Sequence, residues 1–359
     1  MSEPLPGIPT DRPPLEHGWA MPWPGAEIAR AAERVGAQAF CAGEFADRNA
    51  YVALAEMAAT STTAKVGTGV AYAFARSPFV HASAVRHVDR IAKGRVFLGL
   101  GSGTRRMNES WFAAPADRPL ARMADMVGAI RAYLDAPNMK PVRHEGEFYA
   151  LDAAIMAPVL GPIDVPILLG AFNQGMLKVA GRVADGIIGH GLFTDRWWDE
   201  TIDPNLAAGA ASAGRDPDVL RRWGWVITAI NDDDPARAER DARLMIAFYV
   251  TVKTYDPLTS LHGWQDGVAA IRDAFRGNDI ETMAAAVPRS MLDAIAIYGT
   301  ASEARDRIAA RRRLPQLRFH SPPSFMVSPR RVEGYCHAIV DLLGTPSNSA
   351  GTTPPGTTP

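Results

Sequence analysis

Two glycine-rich segments of the 359-residue chain have the residue types and spacing of phosphate-binding turns. Residues 170–175 read Gly-Ala-Phe-Asn-Gln-Gly and connect a predicted strand to the start of a predicted helix. A helix N-terminus presents unpaired N–H groups and the positive end of the helix dipole, which favour a bound phosphate. Residues 101–103, Gly-Ser-Gly, follow an earlier strand and offer a second set of backbone donors. The same glycines also suit tight turns without a ligand, and the local spacing leaves both interpretations open.

Few residues of the sequence are candidates for acid–base or metal chemistry. Glu44 follows the second predicted strand and is the best candidate for a functional carboxylate, although a loop glutamate is more commonly a solvated side chain. His320 ends the last predicted strand, where it could face a pocket or cap a turn. The eight histidines include no HExxH motif or paired spacing, so we expect no metal site. Residues 99–103 lack the third glycine and the later acidic residue of a dinucleotide-binding motif.

The composition excludes several classes of protein. The chain has 38 Lys and Arg against 39 Asp and Glu, so it has no basic excess for binding nucleic acid or an anionic membrane. The chain has two cysteines, Cys41 and Cys336, which lie far apart in the sequence and lack metal-ligand spacing, so a disulfide scaffold and a zinc ribbon are excluded. No apolar stretch approaches the ~18 residues that span a bilayer, and residues 1–14 lack the apolar core of a secretory signal. We therefore expect a cytoplasmic protein that binds neither nucleic acid nor membranes.

The candidate residues lie within a regular alternation of short apolar runs and longer amphipathic runs. The apolar runs predict eight strands, near residues 17–21, 38–42, 65–70, 95–100, 165–169, 186–189, 223–230 and 316–320. A helix is predicted after each strand, over residues 25–35, 50–60, 78–92, 116–133, 175–183, 196–213, 235–249 and 329–343. Strands joined by helical crossovers are parallel, and their two buried faces give apolar runs. Eight such units favour a closed (β/α)8 TIM barrel over an open sheet with a small second domain.

Four segments fall outside a minimal barrel. Residues 143–151 contain a glycine turn between short β-type runs and predict a hairpin. Residues 250–298 predict a helical insertion before the eighth strand, above the barrel mouth. The barrel domain should span residues 15–344. The proline-rich segment 1–14 and the tail 345–359 should be extended or disordered, because neither can bury enough apolar surface to offset ordering.

The ordered motifs resemble the bacterial-luciferase-like superfamily. A first block, from Gly43 to Gly103, combines an acidic residue after strand two with the segments KVGTGV, RSPFVHA and GRVFLGLGSG. A second block, GAFNQGMLKVAGRVADG at 170–186, resembles the branch that uses coenzyme F420. This branch includes methylenetetrahydromethanopterin reductase and F420-dependent glucose-6-phosphate dehydrogenase. A third block joins Tyr-Gly-Thr at 298–300 to LRFHSPP at 317–323, so the resemblance covers nearly the whole body.

This resemblance implies a (β/α)8 barrel that binds a flavin or deazaflavin, with the cofactor phosphate on the two glycine-rich turns. It also implies a cis peptide bond between Gly69 and Val70, in a bulge behind the deazaflavin ring. The residues expected along the ring are Gly43, Glu44, Gly69, Val70 and Tyr72. The residues expected near the phosphate and side chain are Ser102, Gly103, Asn108, Ala171, Asn173, Gly175 and Met176.

The chain departs from the sugar-phosphate dehydrogenases of this branch. Those enzymes have an Asp-His pair after strand two, a tryptophan shortly beyond, and a glutamate after strand four. The matching residues here are Gly43-Glu44, Arg48 and Thr104. The arginine that holds the sugar phosphate in those enzymes falls near Ile295, so their substrate is not transferred to this chain. Arg105 and Arg106 could bind the anionic tail of F420 or be solvated.

The resemblance implies an F420-dependent oxidoreductase that moves a hydride between a small organic substrate and C5 of the deazaflavin. Glu44 is predicted to transfer a proton, with His320 as the second candidate. An FMN-dependent luciferase-like monooxygenase is the first alternative. The second is an inactive barrel that acts as a binding protein, because Thr104 stands where the related dehydrogenases have a catalytic carboxylate after strand four. The sequence leaves the substrate, the direction of transfer and the oligomeric state undecided, and the resemblance is compatible with a homodimer.

Overall fold

The computed structural model describes residues 18–155 and 161–344. The expectations for the proline-rich segment 1–14 and the tail 345–359 concern residues outside these ranges. Within them, the strands are β1 Gly18–Pro22, β2 Ala39–Ala42, β3 Lys65–Thr68, β4 Ala71–Tyr72, β5 Val96–Gly101, β6 Val142–Glu145, β7 Ala150–Ala153, β8 Ile167–Leu169, β9 Gly186–Gly189, β10 Arg221–Ile230, β11 Ile297–Gly299 and β12 Leu317–Ser321.

The helices alternate with these strands along the chain. They are α1 Ala26–Arg34, α2 Ala50–Thr60, α3 Pro78–Asp89, α4 Arg105–Ser110, α5 Pro119–Leu134, α6 Gln174–Val183, α7 Asp195–Trp197, α8 Asp203–Ala211, α9 Pro235–Val250, α10 Asp256–Leu261, α11 Gln265–Arg276, α12 Ile280–Ala285, α13 Arg289–Ile295, α14 Ala301–Ala310 and α15 Pro329–Gly344. Short 3₁₀ turns cover Ala73–Ala75, Pro217–Val219 and Lys253–Tyr255. No described helix is long and apolar enough to cross a membrane.

Eight parallel strands close into a barrel. Their order is β1, β2, β3, β5, β8, β9, β10 and β12, and β12 pairs with β1 to complete the ring. The strand sequences explain this arrangement, because β2 (AFCA) and β9 (GIIG) are buried along their whole length, as parallel strands under flanking helices must be. The predicted (β/α)8 TIM barrel is confirmed.

Large side chains fill the barrel interior below the strand ends. Phe97 packs edge-on against Trp223 with ring centroids 5.1 Å apart, and Phe319 lies 6.2 Å from Phe97. Gly67 of β3 makes room for this cluster, because a Cβ there would lie 2.3 Å from the Phe97 ring. The interior is therefore a packed core, and any ligand space must lie above it, at the carboxyl ends of the strands.

Two of the segments outside the minimal barrel, the hairpin and the insertion, lie within the described residues. The hairpin is confirmed as the antiparallel pair β6–β7, and residues 250–298 contain helices α10 to α13 before the last barrel strand. The sequence did not predict β11, which pairs with residues 228–230 at the end of β10. It also did not predict α4, because RRMNES has no apolar periodicity; this helix begins where the Thr104 hydroxyl accepts the Met107 N–H.

One predicted helix is irregular. The stretch expected as a single helix over 196–213 consists of α7, a π-helical turn at Trp198–Ile202, and α8. Pro204 lies in the first turn of α8 and has no N–H to donate to the turn before it. The hydrogen-bond pattern therefore changes at this point.

Candidate active site

A cavity of about 760 Å³ opens at the carboxyl ends of the barrel strands. Its wall is formed by the segments that follow β2, β3, β5, β8 and β9, together with residues of β10 and of the insertion. Glycine is frequent in this wall, at Gly43, Gly69, Gly101, Gly103, Gly170, Gly175, Gly189 and Gly191. Much of the surface is therefore backbone, which a flat ligand can approach closely.

The floor of the cavity is centred on Val70. The peptide bond between Gly69 and Val70 is cis, as the resemblance implied. Gly101 and Gly170 accommodate the Val70 side chain. A Cβ at Gly101 would lie 2.5 Å from one Val70 methyl carbon, and a Cβ at Gly170 would lie 3.2 Å from the other. The Gly69 N–H donates to the Ala42 carbonyl over 2.8 Å, and the Glu44 N–H donates to the Val70 carbonyl over 3.2 Å. These bonds join the ends of β2 and β3 into one surface.

Glu44 lines the cavity, but both of its carboxylate oxygens are engaged. Oε2 accepts the Tyr72 N–H at 3.0 Å and Nη1 of Arg76 at 2.8 Å, and Oε1 pairs with the other guanidinium nitrogen. Burial raises the pKa of this carboxyl, but the hydrogen bonds and charge of Arg76 and the Tyr72 N–H outweigh it, and the pKa lies below its ordinary value. Glu44 is therefore an ionised anchor for the segment after β3, which argues against the predicted proton-transfer role.

A chain of buried polar groups supports Arg76 from behind. Its guanidinium lies 5.3 Å from the Tyr51 ring centroid, and the Tyr51 hydroxyl is 2.5 Å from Nδ1 of His81. Nε2 of His81 is 2.9 Å from the Ala73 carbonyl, so this nitrogen carries the proton and donates it. Burial lowers the pKa of His81 to about 4, which keeps the ring neutral. His81 therefore has a structural role behind Arg76.

The two glycine-rich turns meet at one side of the cavity. Ser102 and Gly103 after β5, and Ala171, Asn173, Gly175 and Met176 after β8, all line it. Asn173 precedes α6, and no side chain of the described residues caps this helix. The first-turn N–H groups of α6 therefore stay available beside the cavity, as the phosphate interpretation requires.

Asn108 does not line the cavity and acts on it through the backbone. Its side-chain nitrogen donates to the carbonyls of Ser102 at 2.8 Å and Thr104 at 2.9 Å. Gly103, between them, has a φ of 66°, a conformation in which glycine is strongly favoured. Asn108 thus holds the shape of this turn. Arg105 and Arg106 lie outside the cavity wall and are exposed, with Arg105 paired to Glu109 at 3.4 Å.

The structure does not bring His320 to the cavity. This side chain is 1% exposed and hydrogen-bonds to the Thr228 hydroxyl at 2.9 Å. Burial, together with the charge of Arg318, lowers the pKa of His320 to about 3. A neutral ring enclosed by its neighbours cannot exchange protons with a ligand. The neighbouring residue Ser321 reaches the cavity instead.

An aromatic wall that the sequence did not predict faces the floor. It contains His190 after β9, Tyr249 at the end of α9, Tyr255 before α10, and Phe172 after β8. The His190 ring lies 4.4 Å from Tyr249 and 4.8 Å from Tyr255. The sequence carried only a weak signal for this wall. His190 could be placed after a strand, but no motif indicated that the insertion would pack against it. No described group of histidines, cysteines and carboxylates could hold a metal ion.

Comparisons with known proteins agree with the fold. The sequence profile described as "luciferase-like monooxygenase" matches residues 22–316. The chain is 31% identical over 290 residues to a 5,10-methylenetetrahydromethanopterin reductase of Methanolobus tindarius, covering 79% of this chain and 85% of that protein. It is 25% identical over 320 residues to a putative coenzyme F420-dependent oxidoreductase of Mycobacterium tuberculosis, covering 83% and 88%. The solved structure of the coenzyme F420-dependent tetrahydromethanopterin reductase of Methanopyrus kandleri superposes with a TM-score of 0.70 at 21% identity, covering 91% and 99%.

Proposed function

The chain belongs to the luciferase-like monooxygenase family, and on that basis we propose that it is an F420-dependent oxidoreductase. It would transfer a hydride between a small organic substrate and C5 of the deazaflavin. The observation that carries the proposal is the glycine-rich cavity at the carboxyl ends of the strands, beside the uncapped start of α6. The relatives named as methylenetetrahydromethanopterin reductase and F420-dependent oxidoreductase support the choice of cofactor.

The residues of the cavity fit a flat ring that carries a phosphate chain. A Cβ at Gly43 would lie 3.4 Å from the Gly69 carbonyl oxygen, so the missing side chain leaves a shallow cradle over the floor. The donors at the other side are backbone N–H groups and the side-chain amide of Asn173, whereas the Ser102 hydroxyl donates to the Gly103 carbonyl over 3.1 Å. Neutral donors at a helix N-terminus suit a phosphate.

In this proposal, Gly43, Gly69, Val70 and Tyr72 contact the deazaflavin ring. Ser102, Gly103, Ala171, Asn173, Gly175 and Met176 hold the phosphate-bearing chain, and Asn108 maintains the turn at 101–104. When bound, the cofactor accepts or donates the hydride. The chain supplies a preformed floor, fixed by the Glu44–Arg76 pair, and a wall that excludes water from the space above it. Glu44 and His320 are not proposed as proton donors, for the reasons given by their contacts.

We also propose that the protein forms a homodimer. Val52 on α2 and Phe79 and Val80 on α3 are 70%, 53% and 41% exposed, and these helices contact each other. Exposed apolar side chains on two helices in contact indicate an interaction surface. Light scattering after size-exclusion chromatography should give twice the mass of the chain for the wild type and the mass of one chain for Val52→Asp. A monomeric wild type would contradict this assembly.

The decisive experiment for the function is a turnover assay with F420. Oxidised F420 is mixed with panels of alcohols, and reduced F420 with panels of ketones, enones and imines, and the visible deazaflavin band is followed. Enzyme-dependent turnover with F420, and none with FMN that NADH and an added flavin reductase keep reduced in the presence of oxygen, is expected. Oxygen-consuming turnover with reduced FMN, and none with F420, would favour the monooxygenase. Binding of F420 without turnover on any panel would favour a binding protein.

A further inference from the structure

The aromatic wall contains one hydroxyl whose hydrogen-bond direction is fixed by its neighbours. The Leu192 N–H donates to Nδ1 of His190 over 3.2 Å, so in the neutral ring this nitrogen is the acceptor and Nε2 carries the proton. Nε2 lies 3.1 Å from the Tyr255 hydroxyl oxygen, so His190 donates to it. The proton of the Tyr255 hydroxyl is not used in that bond, and Tyr255 lines the cavity.

The surroundings keep both groups in these protonation states. Burial lowers the pKa of His190 to about 3, and burial raises the pKa of Tyr255 above its ordinary value. Phe172 packs edge-on against Tyr255 with centroids 4.9 Å apart, and Tyr249 packs edge-on against His190 at 4.4 Å. The wall therefore presents a neutral O–H donor, held in place by aromatic contacts, over a broad range of pH.

The charge of the cavity restricts what this donor can bind. Among the described residues, neither lysine nor arginine lines it, and Glu44 is the one carboxylate in its wall. That carboxylate is already paired with Arg76. A carboxylate or phosphate on the substrate would therefore lose water near Glu44 without gaining a cation. Phe172, Trp225, Ile227 and Met245 form a large apolar part of the remaining surface, and Thr254 and Ser321 add neutral polar groups to it.

We propose that the substrate is an uncharged, mainly apolar compound whose carbonyl or hydroxyl oxygen accepts a hydrogen bond from Tyr255. This inference rests on the proposed oxidoreductase function, under which the bound compound is a substrate. It does not depend on whether the cofactor is F420 or FMN. His190 is a positioning residue that directs the Tyr255 hydroxyl. The oxygen is common to the oxidised and reduced forms of such a compound, so one donor serves both.

The test compares ligands that differ in one group. Calorimetry measures binding of acetophenone and of its hydrocarbon analogue α-methylstyrene to the protein, with and without saturating F420. The ketone should bind about threefold to tenfold more tightly than the alkene, the range of one net hydrogen bond. In Tyr255→Phe this preference should disappear while the alkene binds as in the wild type, which shows that the cavity is intact. Tyr133→Phe, on α5 outside the cavity, should keep the preference.

A second comparison tests charge and the positioning role. 4-Acetylbenzoate should bind at least about tenfold more weakly than 4-methylacetophenone, because its carboxylate finds no cation. His190→Phe keeps the ring contacts but removes the donor to Tyr255, and should reduce the ketone preference without changing alkene binding. A ketone preference that survives Tyr255→Phe, equal binding of ketone and alkene to the wild type, or tighter binding of the carboxylate would each overturn the inference.

These results separate the two proposals. F420 binding, measured on the same samples, reports on the cofactor alone. A wild type that shows the ketone preference but binds no F420 would leave the substrate class standing and overturn the cofactor. A wild type that binds F420 without the preference would overturn the substrate class alone.

Discussion

Replacing Gly175 by aspartate or alanine tests whether the start of α6 holds a phosphate. Gly175 is the second residue of this helix and lines the cavity. A Cβ there would meet the Leu120 side chain, with its nearest atom at 2.8 Å. Leu120 is 42% exposed and can move aside. The alanine and aspartate variants share this steric demand and differ by one negative charge.

The size of the effect follows from simple electrostatics. Two unit charges about 5 Å apart at a partly hydrated surface, with an effective dielectric constant of about 40, repel by about 1.7 kcal/mol. This free energy corresponds to a loss of affinity of more than about tenfold. Both variants gain helix propensity over glycine, and a carboxylate in the first turn is stabilised by the helix dipole. Gly175→Asp should therefore unfold no more easily than Gly175→Ala.

The assay measures equilibrium binding of F420 to both variants, with thermal unfolding as the control for folding. F420 should bind Gly175→Asp at least about tenfold more weakly than Gly175→Ala, and added salt should narrow the difference. The deazaflavin core without its phosphate chain should bind both variants equally. Equal F420 affinities of the two variants would refute the location of the phosphate. So would a loss of affinity in Gly175→Asp that is as large for the core as for F420.

Three further predictions follow from contacts in the same cavity. Gly43→Val should fill the cradle over the floor and weaken F420 binding at least about tenfold; an unchanged dissociation constant, measured by fluorescence titration, would mean that the ring lies elsewhere. Glu44→Gln should lower the free energy of unfolding by about 2 kcal/mol at pH 7, because it leaves the mostly buried Arg76 guanidinium without its carboxylate. The Glu44 pKa is lowered from its ordinary value near 4.5, so the wild type should be more stable than Glu44→Gln by the full amount above that pH. This difference in stability should fall as the pH drops through the lower, folded-state pKa. Denaturant titrations at several pH values measure the difference, and one that stays constant would contradict an ionised Glu44 paired with Arg76. Asn108→Leu removes both hydrogen bonds that hold residues 102–104 and should weaken F420 binding several-fold at unchanged ketone preference, whereas a change in the ketone preference alone would contradict its role in the turn.

The barrel could be predicted from the sequence because its strands are locally unambiguous. RVFLGL and QAFCA are short apolar runs between glycines and helical stretches, and each became a barrel strand. Strand β11 was missed because IYG is three residues long, and its place is fixed by pairing with the end of β10. The π-helical turn was missed because its apolar pattern continues across Pro204. Local patterns predict elements well, but they do not record which elements pair across the fold.

For the site too, local sequence patterns predicted which residues follow the strands, but not which side chains from distant parts of the chain bind them. The residues directly after strands, such as Gly43, Ser102 and Asn173, line the cavity, because strand ends in a barrel converge on one face. The expectations for Glu44 and His320 depended on side-chain partners that lie far away in sequence. Arg76 binds Glu44 from 32 residues downstream. Thr228 of β10 hydrogen-bonds to His320 of the neighbouring strand β12. Tyr255 was missed because the insertion carries no motif that fixes its distance from His190.

The direct test of the proposed function is the relative affinity for the two cofactors. Purified protein is titrated with F420 and, separately, with FMN, and ligand fluorescence and protein absorbance are followed at equilibrium. F420 should bind with a dissociation constant in the micromolar range or tighter, and FMN much more weakly. Tight FMN binding with no response to F420 would contradict the proposal and favour a flavin-dependent monooxygenase on the same barrel.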